Sequence, residues 1–129
     1  MEFHYTSHIK HYTNAQRHLY EMRTTGSIRV VSYQREGRLV PQAARGLRAR
    51  SVELGPGQVM EWHSTHDREE LLIALKGRVR LEVWMTPRRT RRRQLAAGQC
   101  AFLPRKTRHR VVNGSKMLAH YVYVTAPAQ

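Results

Sequence analysis

The chain is short of cysteine, of acid and of long apolar stretches, and each shortage removes a class of protein. Cys100 is the one cysteine in 129 residues, so no internal disulfide framework exists and a reducing compartment is expected. No apolar run approaches the ~18 residues that a membrane-crossing helix needs. The first residues carry no apolar core followed by a small-residue cleavage site, and a cytoplasmic location without membrane contact is expected. A Gly-rich phosphate loop and a Ser-His-Asp order are also missing, which leaves no nucleotide or serine-hydrolase signature. Acidic residues number 9 against 23 Lys plus Arg, for a net charge of +14. Such an excess attracts anions: nucleic acid, acidic surfaces or a negatively charged small ligand. It is also uneven. Between Arg78 and Arg110 stand eleven basic residues and one acid, Glu82. The bias toward Arg over Lys is equally what a G+C-rich coding sequence produces without any function.

What remains is an ordinary globular composition. Apolar residues make up 40%, enough for a core, and the length suits one domain. The first 26 residues read differently from the rest. They hold His4, His8, His11 and His18 together with Tyr5, Tyr12 and Tyr20, in a spacing that matches no metal site. Asn14 suits a helix cap and Gly26 a helix end. An N-terminal arm with a short helix over 1–26 is expected, followed by the main domain over 27–129.

From Ser27 the pattern turns to period two. Ile28 to Tyr33 reads as a strand, with a turn at Gly37. Leu47 to Leu54 is another strand, closed by Gly55-Pro56-Gly57. Leu71 to Leu75 is an apolar run. After Lys76-Gly77, Arg78 to Met85 alternates, with Val79, Leu81, Val83 and Met85 on one face and Arg78, Arg80, Glu82 and Trp84 on the other. Thr86 to Arg93 reads as a basic loop. Gln99–Leu103, Arg108–Asn113 and Met117–Thr125 complete the set, with Asn113-Gly114 as a hairpin turn. Many short strands with Gly and Pro turns predict an all-β sandwich or barrel.

Several metal-competent side chains sit inside this pattern. His63 and His66 follow the strand after Gly57, and Glu69 and Glu70 open the apolar run. His109 is flanked by Arg108 and Arg110, so a strand there turns both arginines outward and His109 inward. Two imidazoles and a carboxylate meeting inside a barrel suit Fe²⁺, Mn²⁺, Ni²⁺ or Zn²⁺. A lone inward histidine is more often a hydrogen-bonded core residue.

The spacing carries a resemblance. Gly57, five residues, His63, then Glu70, six residues and Gly77 resembles the first motif of the cupins. Gly98, five residues, Pro104, then His109 and Asn113 resembles the second. The resemblance implies a jelly-roll barrel (a double-stranded β-helix) with a metal in its mouth, ligated by His63, Glu70 and His109. Glu70 is preferred to Glu69 because six residues separate it from Gly77. The pattern departs from the family twice. Thr65 stands where the second histidine belongs, with His66 one place late, and a one-residue slip turns a side chain to the opposite face unless a bulge restores it. His66 therefore remains an open fourth ligand. Lys106 replaces a turn glycine and places a cation near the expected mouth, where it would attract an anionic substrate.

The implied functions are a metal-dependent enzyme on a small anionic molecule, oxygenase before isomerase or lyase, and a binding module without turnover. The third reading is nucleic-acid association through Arg88, Arg89, Arg91, Arg92 and Arg93, although that run lacks interleaved aromatics. The family commonly forms dimers, and a homodimer is expected. Trp84 is a candidate interface residue, Cys100 reads as a small buried residue, and His120 as a hydrogen-bonded structural histidine facing the interior.

Overall fold

The computed structural model describes residues 28–129; the arm and helix expected over 1–26 lie outside them. Ser32–Gln129 form one compact unit. Its strands are β1 (Gly37–Arg38), β2 (Arg48–Leu54), β3 (Val59–Ser64), β4 (Arg68–Lys76), β5 (Arg78–Thr86), β6 (Arg89–Ala96), β7 (Cys100–Leu103), β8 (Arg108–Val112) and β9 (Ala119–Pro127). No helix occurs among the described residues.

The strands form two antiparallel sheets, ordered β1-β2-β9-β4-β7 and β3-β8-β5-β6. Apart from β1–β2 and the β5–β6 hairpin, every connection passes from one sheet to the other, which is the winding of a jelly roll. The alternation in the sequence explains the layers. On β4, Glu70, Leu72 and Ala74 are buried while Glu69, Leu71 and Leu75 are exposed. Leu72, Tyr121 and Val52 from the five-stranded sheet meet Val79, Leu81, Leu95 and Val111 from the other in a single core. Burying apolar side chains from both sheets drives the closure.

Gly77, at the β4–β5 connection, has φ +69°, and a Cβ there would lie 2.7 Å from the Leu118 carbonyl oxygen. Only glycine fits both constraints. Asn113 ties the same end of the barrel. Its Nδ2 donates to the carbonyls of Leu54 and Met117, and its Oδ1 accepts from the amide and hydroxyl of Ser115.

Six expectations need correction. Residues 28–33 form no strand. Gly37 begins the short strand β1 instead of a turn. Asn113-Gly114 makes no hairpin, because β8 and β9 belong to different sheets; the asparagine serves a crossover. Thr86–Arg93 is not a loop, since Pro87 and Arg88 alone make the turn and Arg89 starts β6. His120 faces away from the core, because it is the odd-numbered residues of β9 that share a face with Leu72 and Ala74. It is nonetheless buried, hydrogen-bonded to Ser51 Oγ, and stacked on Tyr33 with ring centroids 6.3 Å apart. Cys100, expected inside, is exposed.

Candidate metal centre

Three of the singled-out side chains converge across the gap between the sheets. Glu70 lies near the start of β4 in the five-stranded sheet, and His63 and His109 face each other in register on β3 and β8 of the four-stranded sheet. A break in register between Met60 and His63 accounts for the inward His63. Met60 pairs with the core residue Val111, and three residues on, regular alternation would turn residue 63 outward. The extra residue resets the parity.

The imidazole rings of His63 and His109 are 4.2 Å apart between centroids. Potential ligand atoms of His63, Glu70 and His109 all lie within 4.8 Å of one another. His109 is fully buried and Glu70 nearly so, while His63 is exposed at the mouth.

The hydrogen bonds set the tautomers. His63 Nδ1 contacts the Glu61 carbonyl at 2.7 Å and His109 Nδ1 the Thr107 carbonyl at 3.1 Å. A carbonyl only accepts, so each Nδ1 carries the proton and each Nε2 of the neutral ring presents a lone pair. This is the outer hydrogen bond typical of metal-ligating histidines. His109 Nε2 lies 3.1 Å from Glu70 Oε2. An imidazole lone pair and a carboxylate oxygen repel unless a proton or a metal cation stands between them. The donor set therefore fits a divalent ion.

His66 does not join the cluster. It sits at φ 53° beyond the end of β3, exposed at the rim, with its amide on Ser64 Oγ. Thr65, in the place of the family's second histidine, is buried and fully engaged elsewhere. Its hydroxyl donates to the Pro104 carbonyl at 2.8 Å and accepts from the Thr107 amide at 2.9 Å. It thus holds the turn before β8, the strand that carries His109. Glu69 is exposed on the opposite face of β4. Lys106, at φ 58°, donates its amide to the His66 carbonyl, but its side chain does not line the mouth.

The mouth opens into a cavity of about 620 Å³ whose lining includes His63 and Glu70. Its cations are Arg38, Arg48, Arg50 and Arg68. The sequence reading missed all four, although Arg48 and Arg50 share strand parity with Val52 and Leu54. Tyr123 stands among these charges. Burial pushes its phenol pKa up and the Glu70 charge adds to this, while Arg50 and Arg38 pull it back.

The other concentration of charge lies outside the barrel. Glu82, 1% exposed, bonds Arg80 and Arg110 at 2.6 Å each and approaches Arg92 at 3.5 Å. Burial disfavours its ionised form, but the hydrogen bonds and charges of Arg110 and Arg80 outweigh this and hold its pKa below the ordinary value. Trp62 and Trp84 meet edge to face beside it, with Arg110 over the first ring and Arg108 over the second. The arginine run is divided by strand parity. Arg92 pairs with Glu82 on the outer face, and Arg91 and Arg93 pair with Val83 and Leu81 on the other.

Residues 50–125 match the family described as the cupin domain, more than half of the chain. The chain belongs to the cupin family. Among solved structures, this cupin is similar to a Cupin 2 conserved barrel domain protein from Salinispora arenicola, at 25% identity and a TM-score of 0.62, over 80% of this chain and 90% of that one. It is also similar to TT1209 from Thermus thermophilus, at 26% identity and a TM-score of 0.60, over 75% and 90%. Oxalate oxidase shares the fold at 21% identity and a TM-score of 0.58, over 64% of this chain; the match spans only 42% of the oxidase. No curated protein sequence matches.

Proposed function

We propose that this cupin is a metal-dependent enzyme, an oxygenase before an isomerase or lyase, acting on a small anionic molecule. The observation that carries the reading is the meeting of His63, Glu70 and His109, two of which, His63 and Glu70, line a cavity that also holds four arginines. Fe²⁺, Mn²⁺, Ni²⁺ and Zn²⁺ all suit two imidazoles and a carboxylate. Such an ion supplies Lewis-acid polarisation of a substrate oxygen or, as non-haem iron with open positions, oxygen activation. The protein's own share is positional. Thr107 and Glu61 carbonyls fix the two rings, burial keeps water from His109 and Glu70, and the arginines concentrate anions at the mouth. Oxalate oxidase adds an analogy of fold, and a fold by itself does not choose a reaction.

The expected result is that purified protein retains close to one equivalent of a transition metal by elemental analysis and that His109→Ala does not. Wild-type protein free of Mn, Fe, Co, Ni and Zn after exposure to each would sink the proposal.

A second reading, a binding module without turnover, is favoured by Thr65. Where the family motif has a ligand, this chain has a hydroxyl spent on holding a turn. Metal-loaded protein that binds small anions but converts none under aerobic conditions would select it. Cytoplasmic location, dimerisation and an arm separate from the 27–129 domain are part of the same proposal; light scattering of the full chain tests the dimer.

A further inference from the structure

The four arginines of the mouth are placed in a way that the cation site does not require. Arg38 and Arg50 are direct cross-strand partners on β1 and β2, so their side chains leave the same face. Like charges directly opposite each other destabilise a sheet. No carboxylate pairs with Arg38, Arg48, Arg50 or Arg68 among the described residues. The acids in the cavity lining are Asp67 and Glu70 against these four arginines. Arg68 is held by neutral acceptors, with its Nε on Thr125 Oγ1 and its Nη2 on the carbonyls of Gly46 and Thr125. Arg38, Arg48 and Arg50 have no such anchors among the described residues, and Arg48 and Arg50 are exposed.

The registers relate these arginines to the metal centre. Arg48, Thr125 and Glu70 form one row across β2, β9 and β4, and Arg50, Tyr123 and Leu72 form the next. Arg48 is thus two strands from Glu70, about 10 Å between α-carbons at the usual strand spacing. Both rows share the face that bears Leu72 and Glu70. The cavity runs between a site for a cation, built partly from Glu70, and a cluster of unpaired guanidiniums.

We propose that the ligand of this cupin is a two-ended anion, with one carboxylate or equivalent oxyanion at the His63–Glu70–His109 centre and the other held by Arg38, Arg50 and Arg48. Its chemical class is a short-chain dicarboxylate such as succinate, glutarate or adipate, or a molecule of the same length with a phosphate at one end. The near end rests on the proposed metal site; the far end rests on the arginines alone. Tyr123, on β9 between the strand of Arg48 and Arg50 and the strand of Glu70, faces the middle of the ligand.

The test is calorimetric titration of the full-length protein, first with divalent metal alone and then, metal-loaded, with succinate, glutarate, adipate, acetate and butyrate. At least one dicarboxylate is expected to bind at least tenfold more tightly than the monocarboxylates. Arg50→Gln and Arg38→Gln are each expected to weaken it about tenfold, as loss of a charged hydrogen bond does. Neither change should alter metal uptake, both should weaken butyrate far less than the dicarboxylate, and Arg50→Lys should recover part of the loss. Thermal melting without ligand guards against misfolding: relief of the Arg38–Arg50 repulsion predicts unchanged or raised melting temperatures in both Gln variants. Protein that takes up metal yet binds dicarboxylates and monocarboxylates equally overturns the two-ended ligand and leaves the metal reading standing. Tight dicarboxylate binding that is indifferent to both Gln variants overturns it too. Failure of metal uptake removes the near end, and the two-ended ligand falls with the metal reading.

Discussion

Glu82 is the most exacting place to test the electrostatic account. It is the one acid in a stretch that holds eleven bases, and its carboxylate is 1% exposed with arginines at 2.6, 2.6 and 3.5 Å. Replacing it by Gln keeps the shape and removes the charge. Breaking a buried ion pair costs about 3–5 kcal/mol when the remaining partner stays buried. Here the partners are 30–64% exposed and can turn to water, so the lower figure of about 2–3 kcal/mol for charged hydrogen bonds applies. For a domain of this size that corresponds to a fall in Tm of roughly 8–12 °C. The pH dependence carries a sign. Because the folded pKa lies below the ordinary 4.5, the stabilisation is complete above the unfolded pKa and disappears as pH falls through the lower folded value. Urea denaturation followed by circular dichroism from pH 7 down to about pH 3 should show the wild-type advantage shrinking at the acid end. A variant within ~0.5 kcal/mol of wild type at pH 7, the scatter of ordinary surface changes, would refute the argument. So would a difference that does not change with pH.

Three other outcomes follow from the geometry. Gly77→Ala places a Cβ 2.7 Å from a backbone oxygen at φ +69° and should cost about 2–3 kcal/mol in chemical denaturation, whereas an unchanged midpoint would show that the turn relaxes freely. Thr65→Ala leaves the Pro104 carbonyl and Thr107 amide without their partner and should cost about 1–3 kcal/mol, with Thr65→Ser close to wild type and metal uptake retained in both; loss of metal in Thr65→Ser would show a closer role for this residue. Cys100 is exposed, so a thiol reagent should label it in the native protein nearly as fast as in urea, and protection in the absence of denaturant would contradict its placement.

The chain's own pattern went far at the site and less far around it. The residues 57–113 that carry the motif spacing hold His63, Glu70 and His109, and alternation alone predicted the inward His109, because Arg108 and Arg110 cannot both be buried. The register break before His63 left no mark in the sequence, since a bulge is an arrangement between two strands and only one was being read. His120 was misplaced for a related reason. It alternates with Val122 and Val124, but on this strand the tyrosines face the core and the valines take the opposite face of the sheet. The basic run at Arg88–Arg93 has the composition of a loop, yet cross-strand pairing to β5 makes most of it a strand, an instance of tertiary context overriding propensity. The mouth arginines were hidden because Arg48 and Arg50 are drawn to the cavity by pairing with β9, far away in sequence, and with β1.

The two halves of the site belong to different sheets, and this leads to a last prediction. His63 and His109 ride on the four-stranded sheet; Glu70 and the mouth arginines ride on the other. Sheets packed face to face stay ~10 Å apart because core side chains fill the gap. Leu72, 1% exposed, is two residues from Glu70 on the same face and in the same row as Arg50. Leu72→Ala should cost about 2–5 kcal/mol in stability. It should also weaken metal uptake at temperatures where the protein is still folded, because the distance from Glu70 to His109 is no longer enforced. Arg50→Gln, on the same sheet and in the same row but two strands away from Leu72, should leave metal affinity untouched. Metal titrations of both variants well below their melting temperatures separate the two effects. Leu72→Ala that is destabilised yet binds metal as tightly as wild type would show that the strands carrying the donors hold their spacing without the core beneath them.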